Sequence, residues 1–122
     1  MSAQRVLIVE DERWLAHQQA TTLRNAGYET AVAGHGVSAI GAIDTFSPDC
    51  IVLDILLPAS TGFTLLHELQ SYEDTNGLPI ILSTSLADEI DLKDVASYGV
   101  KRILNKATMK PDDLVAAVRS VI

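Results

Sequence analysis

The sequence predicts an α/β domain in which helices cover both faces of a parallel sheet. Five short apolar runs, rich in β-branched residues, do not alternate polar with apolar positions; they lie at residues 6–9, 30–33, 50–55, 79–84 and 102–104. Continuous apolar runs are typical of strands that are buried on both faces. Stretches with helical spacing separate these runs, and a repeated strand–helix order predicts parallel strands joined by helical crossovers.

The helices are predicted from their end signals and apolar spacing. The first is expected from about Asp11 to Gly27, a glycine that can take the left-handed capping conformation. The fourth is expected to begin at residues 85–88, which resemble a capping box. Pro111 stands at the expected first position of the last helix. Apolar spacing marks the third and last helices, at Phe63, Leu66 and Leu69 and at Leu114, Ala117, Val118 and Val121.

Length, charge and cysteine content restrict the class of protein. The 122 residues fit one domain, predicted to occupy residues 1–122. Acidic residues outnumber basic ones by 16 to 9, which disfavours binding to nucleic acid or to an anionic membrane. Cys50 is the single cysteine, so an internal disulfide and a CxxC zinc site are excluded. The first apolar run is too short for a signal peptide or a membrane span. We expect a cytoplasmic protein.

Chemically active residues follow four of the five predicted strands. Carboxylates at 10–12 follow the first strand and Asp54 ends the third, while Thr84 ends the fourth and Lys106 follows the fifth. Open α/β sheets bind ligands outside the carboxyl ends of their strands. Clustered carboxylates repel one another unless a cation lies among them, and oxygen ligands favour Mg2+. The inferred ligands are Mg2+ and a phosphoryl group, whose oxygens the ammonium and hydroxyl can hold.

Asp54 is the most informative single position. It interrupts the apolar stretch IVLDILLP, so its neighbours do not account for a carboxylate there. A carboxylate in such a place can act as a nucleophile toward phosphorus. Transfer then requires an in-line donor and charge neutralisation by a metal, and it yields a labile acyl phosphate.

These motifs together resemble the response regulator receiver domain of two-component signalling. The matching pieces are VLIVEDE at the first strand, IVLDILLP with Gly62 eight residues after Asp54, PIILSTS at the fourth strand and LNKAT at the fifth. The resemblance covers essentially the whole chain. It implies a flavodoxin-like (βα)5 three-layer sandwich with five parallel strands in the order 2-1-3-4-5.

The resemblance also implies a role for each site residue. Asp54 would be the phosphoacceptor, Thr84 the switch hydroxyl and Lys106 the partner of a phosphoryl oxygen. The implied Mg2+ ligands are Asp11 directly, Glu10 through water, Asp54, and the backbone carbonyl of Leu56. The phosphoryl group would come from a histidine kinase or a histidine phosphotransfer protein. The domain would not be an enzyme beyond self-catalysed transfer and slow autodephosphorylation, and it would be a monomer or a weak phosphorylation-dependent dimer with an unknown downstream effector.

Other interpretations of the same residues remain open. Taken singly, carboxylates 10–12 could cap a helix, Asp54 could be a turn residue, and Lys106 could be a solvated lysine. Residues 34–39 match G-x-G-x-x-A, and Asp54 follows at about the distance of a ribose-binding acid, which would indicate a nucleotide site. A further alternative is a receiver-like interaction or dimerisation module that no longer accepts phosphate.

Four positions depart from the common pattern of the family. Ile103 replaces a frequent aromatic residue, so switching is expected to depend on the fourth helix and its preceding loop. Ala107 replaces a frequent proline, and a cis bond is not expected there. Leu56 and Leu86 stand two residues after Asp54 and Thr84, where polar side chains commonly orient the hydrolytic water. Slow self-dephosphorylation is therefore predicted.

Overall fold

Five parallel strands form one sheet in the order β2-β1-β3-β4-β5. The computed structural model describes residues 3–55 and 62–122. The strands are β1 (Arg5–Val9), β2 (Glu29–Ala33), β3 (Cys50–Leu53), β4 (Ile80–Thr84) and β5 (Val100–Asn105). The helices are α1 (Arg13–Asn25), α2 (Gly36–Phe46), α3 (Gly62–Ser71), α4 (Leu92–Val95) and α5 (Pro111–Val121). The predicted strand order and the alternation of strands and helices are confirmed.

Two apolar cores lie on opposite faces of the sheet. On one face, side chains of α2, α3 and α4 pack against the sheet; on the other, those of α1 and α5 do so. Strands β1 and β3 are buried along nearly their whole length because both faces are covered. This explains why their sequences are continuously apolar. The domain therefore has three layers.

The ends of α1 and α5 follow the predicted signals closely. Helix α1 begins at Arg13, two residues later than expected, because Glu12 takes the extended conformation of an N-cap residue. Gly27 has a φ of 100°, the left-handed conformation expected after the helix. Pro111 is the first residue of α5, and Asp113 accepts a 2.8 Å hydrogen bond from the backbone N–H of Lys110.

The prediction for the start of the fourth helix was wrong. Residues after β4 form a 3-10 turn at Ala87–Glu89, and α4 follows only at Leu92–Val95. Asp91 caps this short helix by accepting a 3.1 Å hydrogen bond from the N–H of Lys93. Val95 is its buried residue, so an apolar stripe long enough to anchor a regular helix is lacking in these four residues.

Candidate functional site

Backbone pairing at the carboxyl ends of the strands determines where the residues of the site lie. Val9 of β1 pairs with Leu53 of β3, so the next residues, Glu10 and Asp54, leave the sheet side by side. The Glu10 N–H donates to Ala33 O at 3.0 Å, and the Asp54 N–H donates to Val9 O at 3.0 Å. The backbones of Glu10 and Asp54 are thus held by hydrogen bonds to neighbouring strands.

Three carboxylates meet at this edge, as predicted. One oxygen from each of Glu10, Asp11 and Asp54 lies within 4.8 Å of the other two. Glu10 and Asp54 are only 2% and 3% exposed, whereas Asp11 faces solvent. Burying two like charges so close together is unfavourable unless a cation compensates them.

Lys106 is the cation that compensates them in this structure. Its Nζ donates a 2.7 Å hydrogen bond to Asp54 Oδ2 and lies 2.8 Å from Glu10 Oε1. The position of Lys106 follows from strand pairing, because its N–H donates to Thr84 O at 3.1 Å. Since Lys106 is itself largely buried, these ion pairs are less screened than pairs on the surface.

The pKa values of Glu10 and Lys106 are both raised, for different reasons. Burial raises the pKa of Glu10 above its ordinary 4.5, although Lys106 and the N–H of Glu12 act in the opposite direction. For Lys106, burial acts to lower the pKa, but hydrogen bonding to Asp54 and contact with Glu10 outweigh it and raise the pKa. The site therefore favours a protonated lysine and disfavours further uncompensated negative charge.

Thr84 lies at the end of β4 and is fully buried. Its Oγ1 accepts a 3.1 Å hydrogen bond from the N–H of Leu86, which ties the hydroxyl to the loop after the strand. A hydroxyl that moved toward a bound group would release this N–H. The loop that carries Leu86 would then have to rearrange.

The donor set of the acidic cluster fits a hard divalent cation. Carboxylate oxygens are the ligands that Mg2+ prefers. Glu10 Oε1 is buried and lies 2.8 Å from Lys106 Nζ, and a carboxylate oxygen has a second lone pair that can accept a ligand. The predicted carbonyl ligand, Leu56, lies outside the described residues. The roles assigned to the individual side chains stay predictions.

The glycine-rich turn lacks the strand arrangement that the alternative of a nucleotide site would require. Residues 34–39 do join β2 to α2, but β1 separates β2 from β3, which carries Asp54. An acid that binds ribose next to such a turn belongs to the neighbouring strand. His35 instead caps α2, where its Nδ1 accepts a 3.2 Å hydrogen bond from the N–H of Ser38.

The structure describes the surroundings of two residues that depart from the family pattern. Ile103 is half-buried and packs against the core beneath α2, α3 and α4. The bond between Lys106 and Ala107 is trans, as expected. The proposed dependence of switching on the loop before α4 stays a prediction.

A buried polar pair near the site was missed by sequence reasoning. Gln19 of α1 donates from Nε2 to Ser83 Oγ of β4 at 3.3 Å, and both residues are buried. Ser83 directly precedes Thr84. A glutamine on an amphipathic helix normally indicates the solvent face. A single serine in an apolar run does not indicate a partner that is distant in sequence. Only the fold therefore reveals this contact.

Comparison with known proteins decides the family. The model of the response regulator receiver domain matches residues 6–119. The chain belongs to this family. Receiver domains act in two-component signalling and interact with histidine kinases. The predicted membership of the response regulator receiver family is therefore confirmed. The flavodoxin-like fold of the structure agrees with this assignment.

Full-length relatives of this receiver domain include DNA-binding proteins. The response regulator MtrA of Mycolicibacterium paratuberculosis is 34% identical over 117 residues, which cover 96% of this chain and 50% of MtrA. The transcriptional regulatory protein BaeR of Escherichia coli is 32% identical over 118 residues, which cover 97% of this chain and 48% of BaeR. The chain thus spans about half the length of these relatives.

Solved receiver domains have the same fold. The receiver domain of a histidine kinase from Syntrophus aciditrophicus is 30% identical, with a TM-score of 0.82 over 98% of this chain and 89% of that one. The response regulator TrrA of Thermotoga maritima, in complex with Mg2+ and BeF, is 24% identical, with a TM-score of 0.83 over 98% and 99% of the two chains. Among the described residues of this receiver domain, no helix is long and apolar enough to cross a membrane.

Proposed function

We propose that this receiver domain, occupying residues 1–122, accepts a phosphoryl group on Asp54 in a Mg2+-dependent reaction. The observation that carries the proposal is the convergence of three carboxylates within 4.8 Å, with Lys106 bound to Asp54 Oδ2 at 2.7 Å. The donor would be a phosphohistidine of a histidine kinase or a phosphotransfer protein. The binding of Mg2+ and BeF by TrrA supports the same chemistry.

The transfer step is a displacement at phosphorus. A carboxylate oxygen of Asp54 attacks the phosphorus atom, the bond from phosphorus to the donor nitrogen breaks, and that electron pair stays with the donor imidazole. Mg2+ bound by Glu10, Asp11 and Asp54 would neutralise charge on the phosphoryl oxygens. Lys106 would exchange its contact with Asp54 Oδ2 for one with a phosphoryl oxygen.

Phosphorylation of Asp54 would change the conformation of the loop after β4. Thr84 would turn its hydroxyl toward the phosphoryl group and release the N–H of Leu86, which now donates to it at 3.1 Å. Phosphorylation would thereby shift a two-state equilibrium of this loop and of α4. A downstream effector would bind the altered face, and the domain would catalyse no reaction on other molecules. We also propose a cytoplasmic location, where the single thiol of Cys50 stays reduced.

Phosphorylation by a small acyl phosphate tests the proposal. Acetyl phosphate with Mg2+ should add the mass of one phosphoryl group to the protein, and chelation of the metal should abolish the addition. Asp54→Asn should prevent it, whereas Asp49→Asn, at the other end of β3, should not. A folded wild-type protein that stays unmodified would favour the alternative of an interaction module without phosphoacceptor activity.

A further inference from the structure

Basic residues are absent from a long part of the sequence that builds one face of the molecule. Between Arg24 and Lys93 there is no lysine or arginine, although this stretch contains ten acidic residues. It includes both α2 and α3, which lie side by side on one face of the sheet. Three of the ten, Glu29, Asp54 and Asp91, pair with basic residues outside the stretch. The others form no ion pair among the described residues, and such uncompensated charge favours a partner of opposite charge.

An open groove runs between these two helices. One cavity of about 320 Å3 is lined by Val37 and Ile40 of α2 and by Leu65 and Glu68 of α3, among others. A second cavity of about 280 Å3 shares Ile40 and Glu68 with the first and extends to Tyr72. The two cavities are therefore adjacent, and together we call them the α2–α3 groove.

The groove combines exposed apolar side chains with acidic ones. Val37 is 81% exposed and Tyr72 is 59% exposed, although both side chains are largely apolar. The charged residues that line the two cavities are Asp44, Glu68 and Asp74. An apolar groove with acidic residues along it is complementary to a helix that has an apolar face flanked by lysine or arginine.

We propose that the α2–α3 groove binds a cationic amphipathic helix of a partner protein. The eleven residues of α2 give the groove a length of about 15 Å, which is enough for about three turns of a bound helix. A second copy of this chain that docked groove to groove would be repelled, because its groove is equally acidic. An anionic lipid surface would be repelled for the same reason. The site is separate from Asp54, and the proposal does not depend on phosphorylation.

Two synthetic peptides of equal length serve as probes. One is an eighteen-residue helix of leucine and lysine with one apolar face, and the other carries glutamate at every lysine position. Titrated into the 15N-labelled protein, the lysine peptide should give saturable shifts concentrated in the amides of α2 and α3. The glutamate peptide should give none. Asp54→Asn should bind the lysine peptide as the wild type does, which separates this result from the phosphoacceptor proposal.

Substitutions in the groove, each with a matched control, locate the binding surface. Glu68→Lys should weaken binding of the lysine peptide at least about 10-fold, and Val37→Ser about 3-fold. Glu89→Lys makes the same charge change outside the groove, and Val32→Ser removes another exposed valine. Both controls should change the affinity less than about 2-fold. All four side chains are exposed, so folding should be preserved.

Several outcomes would overturn the proposal. If Glu89→Lys weakened binding as much as Glu68→Lys, attraction to the overall negative charge would explain it. Shifts scattered over α1 and α5 would place the peptide elsewhere. Equal binding of the glutamate peptide would remove the role of charge, and peptide-induced self-association seen by sedimentation would point to contacts between copies.

Discussion

The ammonium of Lys106 and the carboxylate of Asp54 are joined at 2.7 Å across 52 positions of sequence. The same ammonium lies 2.8 Å from Glu10. A single lysine thus holds two buried acids together before any ligand arrives. Its positive charge compensates the two acids as a bound metal cation would, which makes it both a stabilising group and a competitor of the metal.

Lys106→Met should lower stability and tighten Mg2+ binding. Removing the ammonium takes away the cation that contacts both buried carboxylates, with a cost of about 2 kcal/mol because Lys106 is not wholly buried. The same loss removes a cation that competes for the acids. Urea unfolding and Mg2+ titration measure the two effects, with Lys110→Met as the control for an exposed lysine. An unchanged Mg2+ affinity would show that the ammonium does not compete.

The raised pKa of Glu10 should make stability depend on pH in a defined direction. Because the folded-state pKa lies above 4.5, protonated Glu10 contributes stability that is complete below pH 4.5 and is lost as the pH rises through the folded-state value. Glu10→Gln should remove this part of the pH dependence. Urea unfolding of both proteins at several pH values, in the absence of Mg2+, measures this pH dependence of stability.

Mg2+ affinity should depend on the protonation of the same carboxyl group, that of Glu10. It should weaken during acidification while the pH is still above 4.5, since a protonated carboxyl is a poor ligand. Glu12→Gln removes an exposed charge nearby and serves as the control. A pH profile that is the same in Glu10→Gln and the wild type would contradict the assignment to Glu10.

The contact between Gln19 and Ser83 should behave as a coupled pair. Either Ser83→Ala or Gln19→Leu leaves a buried polar group without its partner and should cost about 1–2 kcal/mol. The double variant should cost at least about 0.5 kcal/mol less than the sum of the two. Chemical denaturation of the four proteins gives the coupling. Strictly additive losses would show that the 3.3 Å contact contributes nothing.

Autodephosphorylation should be slow and should be accelerated by polar residues at two positions. Leu56 and Leu86 offer no group that can orient or activate water. Leu56→Asn combined with Leu86→Glu should raise the rate of phosphate loss about 10-fold or more. The rate is followed by mass spectrometry after removal of the donor and compared with that of Leu92→Glu, an exposed leucine of α4. Equal rates in the wild type and the double variant would defeat the prediction.

Sequence patterns predicted the residues that meet at the carboxyl ends of the strands. Glu10, Asp54, Thr84 and Lys106 each follow or end an apolar run, and parallel strands bring such ends to one edge of the sheet. The start of α4 was mispredicted because Asp91, rather than residues 85–88, caps the helix. Gln19 was missed because its burial depends on packing between α1 and β4, which no local spacing reports.

The pairing of Val9 with Leu53 also fixes a dimension of the acidic cluster. Glu10 and Asp54 emerge from adjacent strands, whose separation of about 4.8 Å is a constant of every hydrogen-bonded sheet. Substitutions in the surrounding loops can therefore alter how fast a donor or a water molecule reaches the phosphorus. They cannot widen or narrow the gap between the backbones of these two acids without breaking the sheet itself. The loops around the site can thus vary while the backbone spacing of Glu10 and Asp54 stays constant.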